Sequence, residues 1–217
     1  MEITQFFSKI RPGETVILEH ESAAVPSYAL YRLLKDATEK GNNILVDDFL
    51  DTLHVYKTHI ELSGLDVSIF DRIPVIKIGG IIDIGNVVGR VSPRRGVILR
   101  KEYEKVYSEV ITEEEVTINP VLGLEKILIF ADDKVELMET LAQISLRLGD
   151  KRRIAIYFIN KDILNEVNPV ATPIIEFMST TLVEVKKKGR VYTFEVLKST
   201  TPEIDGMTFN YDLDKVE

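Results

Sequence analysis

The stretch Gly13-Glu-Thr-Val-Ile-Leu-Glu19, continued by His20-Glu-Ser-Ala-Ala-Val-Pro26 and Ser27-Tyr-Ala-Leu-Tyr-Arg-Leu-Leu34, decides how the rest of the chain is read. It joins a compact β run at Thr15–Leu18 to a tight loop. Then Ala29, Leu30, Leu33, Leu34 and Ala37 recur at the spacing of one apolar helix face. Pro26 fixes a helical first turn without wasting a hydrogen bond, and Glu21 and Ser22 just ahead are capping candidates. In many α/β proteins this order cradles a nucleotide phosphate. The chemistry then needs glycines whose N–H groups turn inward, a Lys for the outer phosphates and a Ser or Thr for Mg²⁺. Here no glycine lies between Gly13 and Gly41, and Glu19 and Glu21 sit where an anion would rest.

Working outward, Ile44–Val46 reads as a second strand that ends on Asp47-Asp48. A helix through Leu53, Tyr56, Ile60 and Leu62 follows, ended by Ser63-Gly64. Val75–Ile78 is a third strand running into Gly79-Gly80, and Ile81–Val91, with Gly85, Asn86 and Gly89, reads as a hairpin or a loop. Lys101–Val110 has helical spacing. Pro120 to Gly123 breaks the chain, and Ile127–Ala131 is the most buried-looking strand. A helix with Val135, Met138, Leu141 and Leu148 on one face precedes a strand at Ile154–Ile159. Pro169 and Pro173 bracket a loop before a short helix at Ile174–Met178. Thr181–Val185 and Val191–Leu197 form a β-hairpin around Lys186–Gly189, and Met207–Tyr211 adds a strand. This order argues a mostly parallel, helix-covered sheet with an antiparallel extension, built as one α/β domain over residues 1–217.

Composition bounds the function. The chain has 217 residues with 45% hydrophobic and 29% charged content, enough for a sizeable core. Lys plus Arg is 27 against 35 for Asp plus Glu, a net charge of −8, so the overall field repels nucleic acid and anionic membrane. Absence of cysteine removes disulfides, thiolate zinc sites and thiol nucleophiles. With many Lys and Glu, it is compatible with a thermophilic source. The N-terminal residues lack the basic start and apolar run of a signal peptide, and Lys77, Asp83 and Arg90 interrupt the most apolar stretch, Ile73–Val91. The expected compartment is the cytoplasm, with no membrane association.

Three segments together resemble the RecA/RadA/KaiC type of ATPase core: the strand and loop from Gly13, the Ile127–Asp133 segment, and Phe194-Glu-Val-Leu-Lys-Ser199 with Asp205-Gly206. More narrowly, Pro74-Val-Ile-Lys-Ile-Gly-Gly80 with Gly85-Asn-Val-Val-Gly89 resembles a small group of uncharacterised archaeal proteins regarded as divergent relatives of that fold. The resemblance implies a RecA-like three-layer sandwich, its mostly parallel central sheet extended by a C-terminal antiparallel hairpin. It places the family's phosphate-binding Lys on Val25 and its Mg²⁺-binding Ser/Thr on Pro26, neither of which can substitute. The metal-facing Asp falls on Ala131 with Asp132 one step later, and the acid that activates water falls near Asp47 or Asp48. Lys198 matches a Lys that resembling proteins offer to a neighbour's nucleotide, although the Arg two residues on is Thr200.

Strand-end loops favour ligands, so His20, Glu21 and Ser22, with Asp132 and Lys198, are the candidate ligand crevice. Asp47, Asp48 and Asp51 with Asp132 and Asp133 would hold Mg²⁺ or Ca²⁺ if the strand ends meet, or else cap helices. His54 and His59 are off a common helical face, so zinc is not supported. Arg90, Arg94, Arg95, Arg100 and Lys101 form a basic cluster that would touch RNA, DNA or an acidic tail, or simply be solvated. The expectation is a catalytically inactive RecA-like domain with no catalytic residue, metal or cofactor. It would serve as a binding or regulatory module that takes a protein or peptide by strand addition or in a groove. Self-association is equally open, and nucleic acid is disfavoured. The rival is an atypical nucleotide-binding ATPase using Asp132 and Lys198.

Overall fold

In the computed structural model, which describes residues 2–93, 97–129, 131 and 134–213, one sheet runs in the order β10-β9-β8-β1-β7-β6-β3-β4-β5, with β2 also on β6. The strands are β1 (Thr15–His20), β2 (Asn43–Ile44), β3 (Val46–Phe49), β4 (Pro74–Ile78), β5 (Asn86–Val91) and β6 (Thr117–Leu122). They continue as β7 (Arg153–Asn160), β8 (Thr181–Lys188), β9 (Val191–Ser199) and β10 (Thr208–Asp212). From β8 to β5 every pairing is parallel, and β9 and β10 extend the sheet antiparallel as the C-terminal hairpin required.

Helices α1 (Ile3–Phe7), α2 (Ser27–Glu39) and α3 (Thr52–Leu62) cover one face. Helices α4 (Val97–Val110), α5 (Leu124–Leu128), α6 (Lys134–Ser145), α7 (Lys161–Val167) and α8 (Ala171–Met178) lie on the other. Because both faces are covered, β1 and β3 are buried along their whole length rather than on alternate residues. Val16 and Leu18 of β1 enter the α2 layer while Ile17 enters the opposite one.

The structure corrects several readings. Ile127–Ala131 does not open as the buried strand expected, because Leu124–Leu128 is helix α5. The strand of this region is Thr117–Leu122, between β7 and β3, and it carries Pro120, the residue read as a break. Proline has no N–H for the ladder. Leu45 donates to the Ile118 carbonyl, and the parallel pattern next asks residue 120 to donate to the Leu45 carbonyl. Asn119 supplies that donor instead, its Nδ2 lying 2.8 Å from the Leu45 oxygen. The missing bond is why β2 and β3 count as two strands. Ile81–Val91 is not a hairpin: Asn86–Val91 returns parallel to β4. The Pro169–Pro173 loop is shorter than expected, since α8 starts at Ala171 and Pro173 lies in its first turn; Lys161–Val167 ahead of it is a further helix. Asp47 and Asp48 are inside β3, not beyond its end.

Candidate functional site

Parallel pairing brings His20 of β1 level with Asn160 of β7, so both strands end on one rim. Three of the candidate residues stand there. Glu21 precedes a 3₁₀ turn at Ser22–Ala24, and neither Glu21 nor Ser22 caps α2; the residue ahead of that helix is Pro26. The Ser22 amide donates to Asp162 Oδ2 at 2.7 Å, and the Ser22 hydroxyl sits 3.2 Å from Asn160 Nδ2. Asn160 in turn caps α7, accepting from the Asp162 and Ile163 amides. The Ala24 amide closes on the Glu21 carbonyl, and the Val25 carbonyl accepts from the Tyr192 hydroxyl.

Beneath this loop lies a buried set of titratable groups. His20 contacts the Glu21 carbonyl through Nδ1 at 2.8 Å, and since a carbonyl only accepts, Nδ1 carries the proton. Its Nε2 lone pair then faces the Tyr56 hydroxyl, 3.5 Å away. Burial lowers the His20 pKa, so the ring is kept neutral, and burial likewise raises the Tyr56 hydroxyl well above its usual value. Glu125, buried at the start of α5, is pushed up to about 7 by burial, with its own amide, Lys126 and the Asn160 amide pulling the other way. Glu19, on the opposite face of β1, is also raised to about 7, first by burial and then by the charge of Glu176. Each of these two glutamates keeps one buried oxygen without a hydrogen-bond partner. Lys161, whose charge works against the shift of Glu19, is itself paired to Glu184, as is Lys186. The rim is therefore acidic, and a phosphate there would meet like charge.

The other candidates go elsewhere. Lys198 donates to the Glu176 carbonyl at 2.6 Å, closing the C-terminus of α8. Asp132 and Asp133 lie outside the described residues, as do Arg94 and Arg95 of the basic cluster. Arg90 of that cluster pairs with Asp83. Asp47 and Asp48, adjacent in β3, point to opposite faces. Asp48 accepts the Leu53 amide and the Lys77 ammonium in the α3 layer, whereas Asp47 accepts from Tyr103 of α4. Among the described residues no group of three His, Asp or Glu converges to hold a metal. His59 contacts Ser27.

A second anion cradle is formed by the glycines after β4. Gly79 and Gly80 take φ of +66° and +75°, turning the Ile81 and Ile82 amides inward. Both amides donate to the Asp51 carboxylate, which also binds Lys77 and is held at about 2. Burial alone would raise that value, and the Lys77 ammonium and the two amides overcome it. A Cβ on Gly80 would stand 2.4 Å from Asp51 Oδ1, so the turn admits only glycine. Leu50 and Asp51 reach this position through φ of 49° and 61°, rare for non-glycine residues. Reading the sequence missed Tyr56, Glu125 and Asn160. Glu125 alone left a signal, as the one acid between the apolar residues Val121 and Ile129.

This strand order, with helices on both faces and a C-terminal hairpin, defines a RecA-like α/β protein. The FlaH flagellar accessory protein of Methanocaldococcus jannaschii superposes with a TM-score of 0.55 at 16% identity, over 94% of this chain and 87% of that one. A KaiC-like protein of Pyrococcus horikoshii OT3 superposes at 0.60 with 10% identity, over 93% and 86%. At these identities the likeness is one of fold. A further solved protein of Pyrococcus horikoshii OT3 is 31% identical with a TM-score of 0.82, over 96% of this chain and 98% of that one. The family model described as "Pyrococcus protein of unknown function, DUF257" matches residues 5–210, and the chain belongs to that family. No curated protein matches the sequence at a significant level. Among the described residues no helix is long and apolar enough to cross a membrane.

Proposed function

We propose that this chain is a RecA-fold protein without ATPase activity, with a degenerate phosphate loop, and that it works as a binding module for an extended protein segment. The observation that carries the first half is the hydrogen bond from the Ser22 amide to Asp162. A loop that bound phosphate would leave such an amide to the ligand, and here a carboxylate of the chain takes it. Val25 and Pro26 offer neither ammonium nor hydroxyl, and Lys198, the cation left to the rival reading, is spent on α8.

The second half rests on the β5 edge of the sheet, one of two, with β10 at the other end. β5 has one neighbour, β4, among the described residues. Val91 turns its carbonyl to β4, accepting from Gly79, so alternation turns the amide and carbonyl of Arg90 outward. Val88 is half-exposed on the same strand, and Ile81, in the loop joining β4 to β5, is almost fully exposed, at 91%. An extended segment would find backbone partners and apolar contacts together there, the requirement of strand addition. The occupant is a partner's strand or the same strand of a second copy.

Arg90→Pro removes one outward donor without touching the β4 pairing, and tests this reading. Light scattering across a concentration series, alone and with pulled-down partners added back, is expected to show association that the variant weakens. Association of equal strength in the variant, or turnover of Mg-ATP by the wild type, overturns it.

A further inference from the structure

Helices α2 and α3 border a cavity of about 540 Å³, with Val25, Ile60 and Leu65 as apolar walls and Tyr192 of β9 beside them. Two further residues of its lining carry reactive groups. Ser27, the first residue of α2, places its hydroxyl 3.1 Å from Nδ1 of His59 in α3. Ser27 is only 4% exposed and His59 is exposed, so the imidazole is the outer member of the pair. As a tie between two helices the contact needs nothing further, yet three features around it go beyond a tie.

The first is the cavity itself, which has the volume of a small-molecule site. The second is the pairing of residue types. A serine hydroxyl is a weak nucleophile alone and is activated by an imidazole within hydrogen-bond reach that takes its proton. The third is the start of α2. Pro26 stands ahead of the helix and no side chain caps it, so the Tyr28 and Ala29 amides have no capping acceptor among the described residues. The amide directly after a nucleophilic serine at the start of a helix is a recurrent donor to the oxyanion of acyl transfer.

We propose that Ser27 is a nucleophile with His59 as its general base, and that the cavity takes esters of short apolar carboxylic acids. The Ser27 oxygen attacks the ester carbonyl carbon as its proton passes to His59 Nδ1. The carbonyl oxygen takes the negative charge beside the first amides of α2. The bond from the acyl carbon to the alcohol oxygen then breaks, and the alcohol leaves with the proton from Nδ1. Water repeats the sequence on the acyl-serine, which releases the acid and returns a proton to Ser27. Among the described residues no carboxylate pairs with His59, so turnover is expected to be slow. No residue of β5 lines the cavity, so the proposal stands or falls separately from the strand-addition reading.

The test treats the whole protein with a fluorophosphonate, whose phosphorus takes the serine oxygen as fluoride leaves, and maps the adduct by peptide mass spectrometry. Labelling at Ser27 is expected, together with hydrolysis of p-nitrophenyl butyrate that Ser27→Ala lowers by about 100-fold or more. His59→Gln keeps a hydrogen-bonding group against Ser27 and removes the base. It should slow both reactions by about 100-fold or more, and as a change at an exposed residue it carries the test if Ser27→Ala fails to fold. A tie that is only structural gives no label at Ser27, and hydrolysis equal in the wild type and both variants. Either result overturns the proposal, and so does labelling of Ser27 at an unchanged rate in His59→Gln.

Discussion

The Asp162 carboxylate accepts the Ser22 amide at 2.7 Å, bringing the start of α7 against the loop between β1 and α2. The same device recurs on the other side of the rim, where Asp51 fills the turn at Gly79–Ile82. In both places backbone donors that suit an external anion are satisfied internally. At Ser22 the carboxylate is exposed and its pKa is lowered, chiefly by that amide. Asp162→Ala should cost less than about 1 kcal/mol in urea unfolding, as expected for a solvated contact. It should also accelerate hydrogen exchange at the Ser22 amide. Unchanged exchange there would mean the bond is not maintained in solution.

Lys77 is only 1% exposed and Asp48 is fully buried, with 2.6 Å between them. Burial works against the Lys77 charge, and the hydrogen bonds and fields of Asp48 and Asp51 overcome it, raising its pKa. Lys77→Met leaves two carboxylates facing each other without their cation. The expected loss is about 3–5 kcal/mol by denaturant unfolding, against less than about 1 kcal/mol for Arg90→Ala at the exposed Asp83 pair. Equal losses in the two variants would show that the buried triad is not organised as described.

Glu125 makes stability depend on pH in a direction opposite to that of a paired carboxylate. Its folded pKa of about 7 lies above the ordinary carboxyl value, so the folded chain binds more protons than the unfolded chain between the two. Its contribution is therefore intact below about pH 4.3 and declines as pH rises towards 7. Glu125→Gln is neutral throughout, and relative to wild type should gain about 1–3 kcal/mol between pH 4.5 and 8. Glu19 runs in the same direction and His20 in the other, but both remain in the two proteins, so the difference isolates Glu125. A pH-independent difference would show that the carboxyl is solvated.

Much of the fold was legible because periodicity and turn chemistry agreed with it. The Thr15–Leu18 run, the apolar face from Ala29 to Ala37, and the β8–β9 hairpin each specify one local answer, although the hairpin turns at Gly189-Arg190 and Lys186–Lys188 extend β8. Ile127–Ala131 did not, since a short apolar run suits a buried strand or a buried helix equally. Ile127 and Leu128 with Leu124 follow helical spacing into the core and Ile129 is left half-exposed, a pattern that is plain only once Gly123 is seen to start a helix. Thr117–Leu122 was hidden by Pro120, whose ladder bond is replaced by a side chain seventy-odd positions from its acceptor in sequence.

The candidate site was legible in what it lacks. Val25 and Pro26 can be read directly from the chain, and so can the acids around them. What fills the gap cannot be, because the partners of Ser22 and His20 come from β7, α7 and α3, far along the sequence. The same holds for Asp47 and Asp48. Only the alternation of β3 and the pairing of its neighbours send one to Tyr103 and the other to Lys77.

The most direct test of the central claim is thermal unfolding with and without millimolar Mg-ATP. A nucleotide at about one hundred times its dissociation constant would add about 2.7 kcal/mol and raise the midpoint by about 5–10 °C. The closed loop predicts no shift. A shift of that size, lost when Ser22 or Asp162 is altered, would contradict the account and make the β1–α2 loop a working nucleotide site.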